Sequence, residues 1–332
     1  MELHIILANN ILKLLIPTLL LVVTAGCSVT QKSTFQFALL GDNPYTPATY
    51  PTYERLIEEV NREVDIEWVL HVGDLKGGLV SCSDEEMLRY YELNQRFDKP
   101  FIVTPGDNDW LDCKRLDTGG YNEYERLETF RHMFYPVPGQ TTGGNPMQVR
   151  QQSSSHLDFP EFVENVLWQK QGVVFATVHV VGLTEPPTDR RQWENRVDAA
   201  SAWIRHTFDE ANSINAKGVF LAMQADPWIF FGLPLLAENA CPNCNQPRKS
   251  LEWLYPLLAE GSLAFGKPVV LAVGDTHVFR VDKPLYTDGG DLVTNFTRVE
   301  SFGHPLVHWV SVVVEPDSPW VFSFREQLVE QH

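Results

Sequence analysis

Asp42, Asp74, Asp107 and Asp275 each follow a glycine that closes an apolar run, at residues 37–40, 69–72, 101–105 and 269–273. His277 stands two residues after Asp275, and Gln224 ends a further apolar run at 217–223. Carboxylates crowded into one crevice cannot all stay ionised unless a positive charge joins them. A divalent cation is the economical partner, with the aspartates, the His277 imidazole and the Gln224 carbonyl oxygen as ligands. A set so rich in hard oxygen favours Mg²⁺, Mn²⁺ or Ca²⁺ over Zn²⁺. One such ion, or two about 3.5–4 Å apart bridged by an aspartate, would activate water and clamp a phosphate. The chemistry expected is hydrolysis of a phosphate ester. Any one of these aspartates is more simply a turn or helix N-cap residue. Their recurrence after strands is what points to a site.

Apolar runs cut off by glycine read as buried parallel strands. Ligands in open α/β sheets bind beyond the carboxyl ends of such strands. Strands are expected at 34–40, 67–72, 100–104, 172–181, 217–223, 269–273, 306–314 and 321–324. Helices are expected at 51–64, 190–211 and 250–259, and at 83–93, where Ser83 opens a capping-box pattern. The first three aspartates lie about 30 residues apart, the length of a βα unit returning to a parallel neighbour. The Gly-, Pro-, Gln- and Ser-rich stretch 137–159 reads as a surface excursion near the site mouth. Strands alternate with helices and β-rich segments close the chain. That order fits an α/β sandwich of two sheets in one domain, 34–328.

With these residues in place, the chain resembles the calcineurin-like metallophosphoesterases. The blocks are Gly41-Asp42-Asn43-Pro44-Tyr45, Gly73-Asp74, Gly106-Asp107-Asn108-Asp109, Met223-Gln224 and Gly274-Asp275-Thr276-His277. The resemblance implies an αββα sandwich with the site at the strand carboxyl ends. It also implies divalent ions held by Asp42, Asp74, Asp107, Gln224, Asp275 and His277, and a phosphate-ester substrate. The departures from the family pattern are Pro44, Asn108, Gln224 and Asp275 where it has histidine, and Asp107 where it has asparagine. Asn108, in the place of the family's catalytic histidine, would orient the phosphate. Another group must then protonate the leaving oxygen, with Asp109, His71 and His304 as the candidates. The alternative is a catalytically degenerate binding module on the same fold.

The chain of 332 residues carries a formal charge of −17, which argues against nucleic acid as a partner. Lys13, the apolar stretch 14–23 and Thr24-Ala25-Gly26-Cys27 resemble a bacterial lipoprotein signal. That implies a leader at 1–26, lipid on Cys27, a tether at 27–33 and a membrane-anchored, exported protein. In an oxidising compartment Cys82 and Cys113, which follow the second and third Gly-Asp, would bridge the site rim. Cys241-Pro242-Asn243-Cys244 reads as a loop staple, half a zinc site or a redox pair, the staple being favoured. Lys76 reads as a solvated loop residue, Asp226 as a turn residue, Arg280 as surface pairing and His179 as a satisfied core histidine.

Overall fold

The computed structural model describes residues 34–182, 189–230 and 245–330. The expected leader, Cys27, the tether and the Cys241–Cys244 motif lie outside these residues. β1 (Phe35–Leu40), α1 (Tyr50–Arg62), β2 (Ile66–His71), α2 (Asp84–Asn94) and β3 (Pro100–Val103) alternate. After them come α3 (Glu123–Phe134) and the short β4 (Thr142–Gly143), β5 (Arg150–Gln151) and α4 (Gln152–Ser155). A second series runs β6 (Val166–Lys170), β7 (Val173–Thr177), α5 (Arg190–Ser213) and β8 (Gly218–Ala222). β9 (Trp228–Phe230), β10 (Asn245–Pro247), α6 (Leu254–Phe265) and β11 (Val269–Val273) follow. The chain ends with β12 (Arg280–Asp282), β13 (Phe296–Glu300), β14 (Trp309–Glu315) and β15 (Val321–Gln327).

Two sheets result. One has the order β15-β14-β1-β2-β3-β4, with β1, β2 and β3 parallel. The other has the order β12-β13-β11-β8-β7-β6-β5, with β13, β11, β8 and β7 parallel. Phe37 and Trp68 of the first sheet meet Phe175 and Phe220 of the second across the interior. Aromatic pairs at such centroid distances favour edge-to-face packing, which locks the two layers. Trp203, Ile204 and Phe208 of α5 and Leu254 and Leu258 of α6 cover the far face of the second sheet in their own core cluster. Tyr53, Leu56, Ile57 and Val60 give α1 its buried stripe at helical spacing, and Pro51 sits at its first turn.

The layered α/β fold agrees with the expectation from element order. Ser83 caps α2 by accepting from the Glu86 amide at 3.3 Å. The reciprocal half of the capping box is missing, because the Glu86 carboxylate takes the Tyr50 and Tyr90 hydroxyls instead. The β7 strand stops at Thr177, short of the run to 181. α3, β6 and β13 were not expected. β13 in particular carries Arg298 and Glu300, both fully buried, so its sequence does not read as an apolar strand. Among the described residues no helix is long and apolar enough to cross a membrane.

Candidate functional site

β1, β2 and β3 of one sheet and β8 and β11 of the other end at the same edge, and their carboxyl-terminal turns carry the acids. Asp42 and Asp74 hold left-handed backbone, φ 52° and 56°, as do Asp275 at 74° and His277 at 65°. That conformation is uncommon for residues with a Cβ and concentrates where a site demands it. The second and third turns touch: a Cβ on Gly73 would come within 2.5 Å of the Gly106 amide nitrogen. A Cβ on Gly106 would lie 1.9 Å from Asp74 Oδ1. Only glycine lets these loops close on each other. Cys82 and Cys113 form the expected disulfide between the loops after β2 and β3.

The focus of the site is a residue the motif reading passed over. The Tyr45 hydroxyl lies 3.3 Å from Asp42 Oδ1, 3.2 Å from Asp74 Oδ2 and 3.2 Å from His277 Nε2. It also accepts from Asn108 Nδ2 at 3.2 Å. Asp42 is tied to the last turn, since the Asp275 amide donates to both its oxygens at 3.0 and 3.1 Å. Asp74 accepts from the Asn108 backbone at 3.0 Å, from Asn108 Nδ2 at 2.9 Å and from Gln224 Nε2 at 3.2 Å. His277 Nδ1 donates to the His304 carbonyl at 2.7 Å, which aims Nε2 inward. The His304 ring stacks on Tyr45 at 5.2 Å.

Burial and mutual repulsion set the electrostatics. Burial raises the Asp42 pKa, with the Asp42–His277 contact opposing it. Burial, then the charges of Asp107 and Asp42, push Asp74 well above the carboxylate range. Burial, then Asp275 and Asp112, do the same to Asp107. Burial alone would lower His277, but Asp42, the His304 carbonyl and Asp275 lift it to about 9. Burial, reinforced by the surrounding aspartates, keeps the Tyr45 hydroxyl protonated. Such a pocket gains from any cation it can admit.

Asp42, Asp74 and the inward His277 Nε2 bring together oxygen and imidazole donors of the type a hard divalent ion takes. As the side chains stand, no group of three or more His, Cys, Asp or Glu among the described residues is spaced to coordinate an ion. The Tyr45 hydroxyl stands among Asp42, Asp74 and His277. Asp42, Asp74 and His277 meet around that hydroxyl, and Asp107 and Asp275 add their charge to the same pocket. The other side fits a cation poorly. Gln224 Oε1 accepts from the Gly182 amide at 2.6 Å, so the Nε2 hydrogens face Asp74 and Asp275. Gln224 thus offers the pocket donors, not the carbonyl oxygen expected of a ligand. Asp275 Oδ2 forms an ion pair with Arg248.

Several expected roles change. Both Asp109 oxygens are taken by backbone amides, those of Gly106 at 2.8 Å, Asp74 at 2.9 Å and Leu75 at 2.8 Å. Burial raises its pKa to about 6 against those bonds. Asp109 is a pin between turns and not placed as an acid for a leaving group. His71 is also spoken for, with Nε2 at 3.2 Å from the Asn43 carbonyl and Nδ1 accepting from the Gly73 amide at 3.1 Å. Lys76, expected in solvent, is buried with Nζ on the Val80 carbonyl at 3.2 Å. Asp226 and Arg280 belong to an ionic network under the last turn. Arg298 donates to Asp226 at 2.8 Å, and Arg280 bridges Asp226, Glu300 and Thr276. Glu300 in turn accepts from Thr276 Oγ1 and the Val278 amide, flanking His277. His179 is a core histidine, bonded through Nδ1 to Glu164 at 2.6 Å, but its buried Nε2 makes no hydrogen bond among the described residues.

Tyr45 carried a faint signal, lying three residues beyond Asp42 in the same turn. Arg248 carried none, being remote in sequence from every Gly-Asp. A family model for calcineurin-like phosphoesterases matches residues 35–231. Among solved structures, GAP50, the anchor in the inner membrane complex of Plasmodium, is 11% identical with TM-score 0.48 over 90% of each chain. The NAD nucleotidase of Haemophilus influenzae is 11% identical, TM-score 0.43, over 88% of this chain and 49% of its own. A phosphatase of Mycoplasma pneumoniae is 10% identical, TM-score 0.44, over 89% of this chain and 92% of its own. No curated protein sequence matches the chain.

Proposed function

The chain belongs to the calcineurin-like phosphoesterase family, and from that premise we propose that it hydrolyses a phosphate ester with the help of a divalent cation. The observation that carries this reading is the meeting of Asp42, Asp74 and His277 around one point, from three separate strand-end turns. Those three residues would hold the ion, with Asp107 buried beside them. The ion would supply Lewis-acid charge to a phosphoryl oxygen. Mg²⁺, Mn²⁺ and Ca²⁺ suit these oxygen ligands better than Zn²⁺.

The remaining work falls to side chains. Asn108 Nδ2, next to the Tyr45 hydroxyl and Asp74, orients a phosphate oxygen by donation. The Tyr45 O–H is a second donor, kept protonated by burial and by its acidic neighbours. Of the proton donors expected from the sequence, Asp109 and His71 are occupied by backbone. His304, stacked on Tyr45 and with a buried Nδ1 that has no hydrogen-bond partner among the described residues, is the candidate left to protonate the leaving oxygen. The donors that satisfy Asp74 favour one rival, a binding module on the same fold.

We further propose that residues 1–26 are a leader, that Cys27 carries lipid, and that 34–328 is an exported domain anchored through it. The buried Cys82–Cys113 bridge suits an oxidising compartment. The test of function is hydrolysis of p-nitrophenyl phosphate and bis-p-nitrophenyl phosphate with each of the four ions, against an Asp74→Asn control. Metal-stimulated turnover that the control loses supports the phosphoesterase. Turnover no higher than the control with every ion and both esters supports the binding module. Fractionation of cells carrying Cys27→Ala tests the anchor, which predicts a shift from membrane to soluble fraction.

A further inference from the structure

The parallel strands of both sheets begin at the edge opposite the acidic pocket. β1 starts there at Phe35, and the antiparallel β14 sets Val314 against it. β15 returns with Val321 against Glu315, so the turn 316–320 lies two strands away from the start of β1. Two ion pairs tie the second sheet to this edge. Lys217, just before β8, pairs with Asp317 of the turn, and Lys170, at the end of β6, pairs with Glu67 of β2 at 2.9 Å. The turn is braced by its backbone: the Ser318 amide donates to the Glu315 carbonyl at 2.8 Å and the Val321 amide to the Ser318 carbonyl at 3.2 Å. It holds Trp320 out at 79% exposure, the one exposed residue of the nine tryptophans. On the other side of β1, Val64 stands two residues before β2 and is 88% exposed. Beside Trp320 a mostly apolar groove of about 630 Å³ runs between β12 and β15, past Val281, Val321, Phe322 and Phe324.

Tryptophan is usually well buried. Where it is not, its ring suits a membrane–water interface, with the apolar body among lipid and the N–H among headgroups. The lipid proposed on Cys27 would bring such an interface to this edge. Cys27 precedes Phe35 by eight residues (35 − 27), at most about 29 Å of extended chain. A globular domain of ~300 residues is about 50 Å across, so a tether of that length keeps the start of β1 near the bilayer. We infer that the edge where the strands begin is the face laid on the membrane, with Trp320 and Val64 seated among the lipid headgroups. The pocket of Asp42, Asp74 and His277 opens at the other end of β1, which is six residues long, about 20 Å, and draws its ester from the aqueous side. The attraction is apolar, because Lys170 and Lys217 are taken by acids of the same edge and the chain carries −17 overall. The inference rests on the lipid anchor proposed above and adds which face meets the bilayer.

The experiment uses the full chain, extracted from bacterial membranes and reconstituted into phosphatidylcholine vesicles, either unbrominated or with acyl chains brominated near the headgroup. Mass spectrometry of the same sample reads whether Cys27 carries lipid. The emission of Trp320 is the difference between wild type and Trp320→Phe, and it is expected to lose most of its intensity in the brominated vesicles. Leu116→Trp sets an indole in the loop after β3, at the pocket edge, where Leu116 is exposed; the emission it adds is expected to keep its intensity. Lipid on Cys27 with Trp320 unquenched overturns the inference and leaves the anchor standing, with a protein partner as the other occupant of this face. Quenching at residue 116 as strong as at Trp320 overturns the orientation. A Cys27 without lipid overturns the anchor and the inference together. Both substitutions fall on exposed side chains, so each variant keeps the core of the fold.

Discussion

The Cys82–Cys113 bridge offers a perturbation whose size follows from the chain. Both cysteines are fully buried, and they are 31 residues apart in sequence. Closing a loop of that length removes about 12 cal/mol/K of entropy from the unfolded chain, about 4 kcal/mol at 25 °C. The loops it joins keep other ties: Cys82 N bonds to the Thr118 carbonyl at 3.0 Å and Tyr121 N to the Cys113 carbonyl at 2.8 Å. The double variant Cys82→Ala/Cys113→Ala should therefore fold, with stability lower by about 4 kcal/mol in urea unfolding. With an unfolding entropy of about 0.6 kcal/mol/K for ~300 residues, the melting temperature should fall by about 6 °C. The wild type in reducing agent should match the variant. Amide exchange should speed up most in 111–121, the segment clamped from the β2 side. A loss under about 1 kcal/mol would refute the reasoning, because it would mean that the unfolded chain gains no freedom when the bridge is cut.

Three further perturbations follow from buried groups. Arg298 is fully buried between Asp226 and Asp282; Arg298→Met should cost about 3–5 kcal/mol in urea unfolding by removing one partner of a buried ionic network, and a loss below 1 kcal/mol would speak against the network. Gly106→Ala drives a methyl into Asp74 Oδ1; a displacement of that size should lower kcat/KM on the order of 10²-fold with near-native circular dichroism, and unchanged kinetics would remove Asp74 from the site. Burial holds His179 neutral with its pKa lowered from 6.5 to about 4. Its neutral form stabilises the fold fully above pH 6.5, and that share is lost as pH falls towards 4, about 3 kcal/mol in all. The stability advantage of wild type over His179→Gln should shrink by that order between pH 7 and 4, since the aspartates with raised pKa act alike in both proteins; a constant difference would contradict a buried neutral imidazole.

Much of this protein is written locally. Apolar runs such as 37–40 and 269–273 can only be buried strands, because nothing in them satisfies water and the following glycine breaks the run. Their order along the chain yields two sheets, and the position of each aspartate just past its strand puts the acids at one edge. The spacing of Cys82 and Cys113 behind adjacent strand ends likewise brings them within bonding reach. What the sequence left open was the orientation and occupation of polar groups. Asp107 and Asp109 are near neighbours in one turn, yet one faces the other acids and the other is consumed by three amides. Gln224 sits where expected, but the Gly182 amide, from another strand end, decides which end of its side chain faces the pocket. Arg248 reaches Asp275 because β10 pairs back on β9, which follows β8, and β8 lies beside β11, whose end carries Asp275. Burial and strand position depend on short-range pattern. The direction of a hydrogen bond or the partner of a charge depends on groups far away in the chain, and only the assembled fold brings those together.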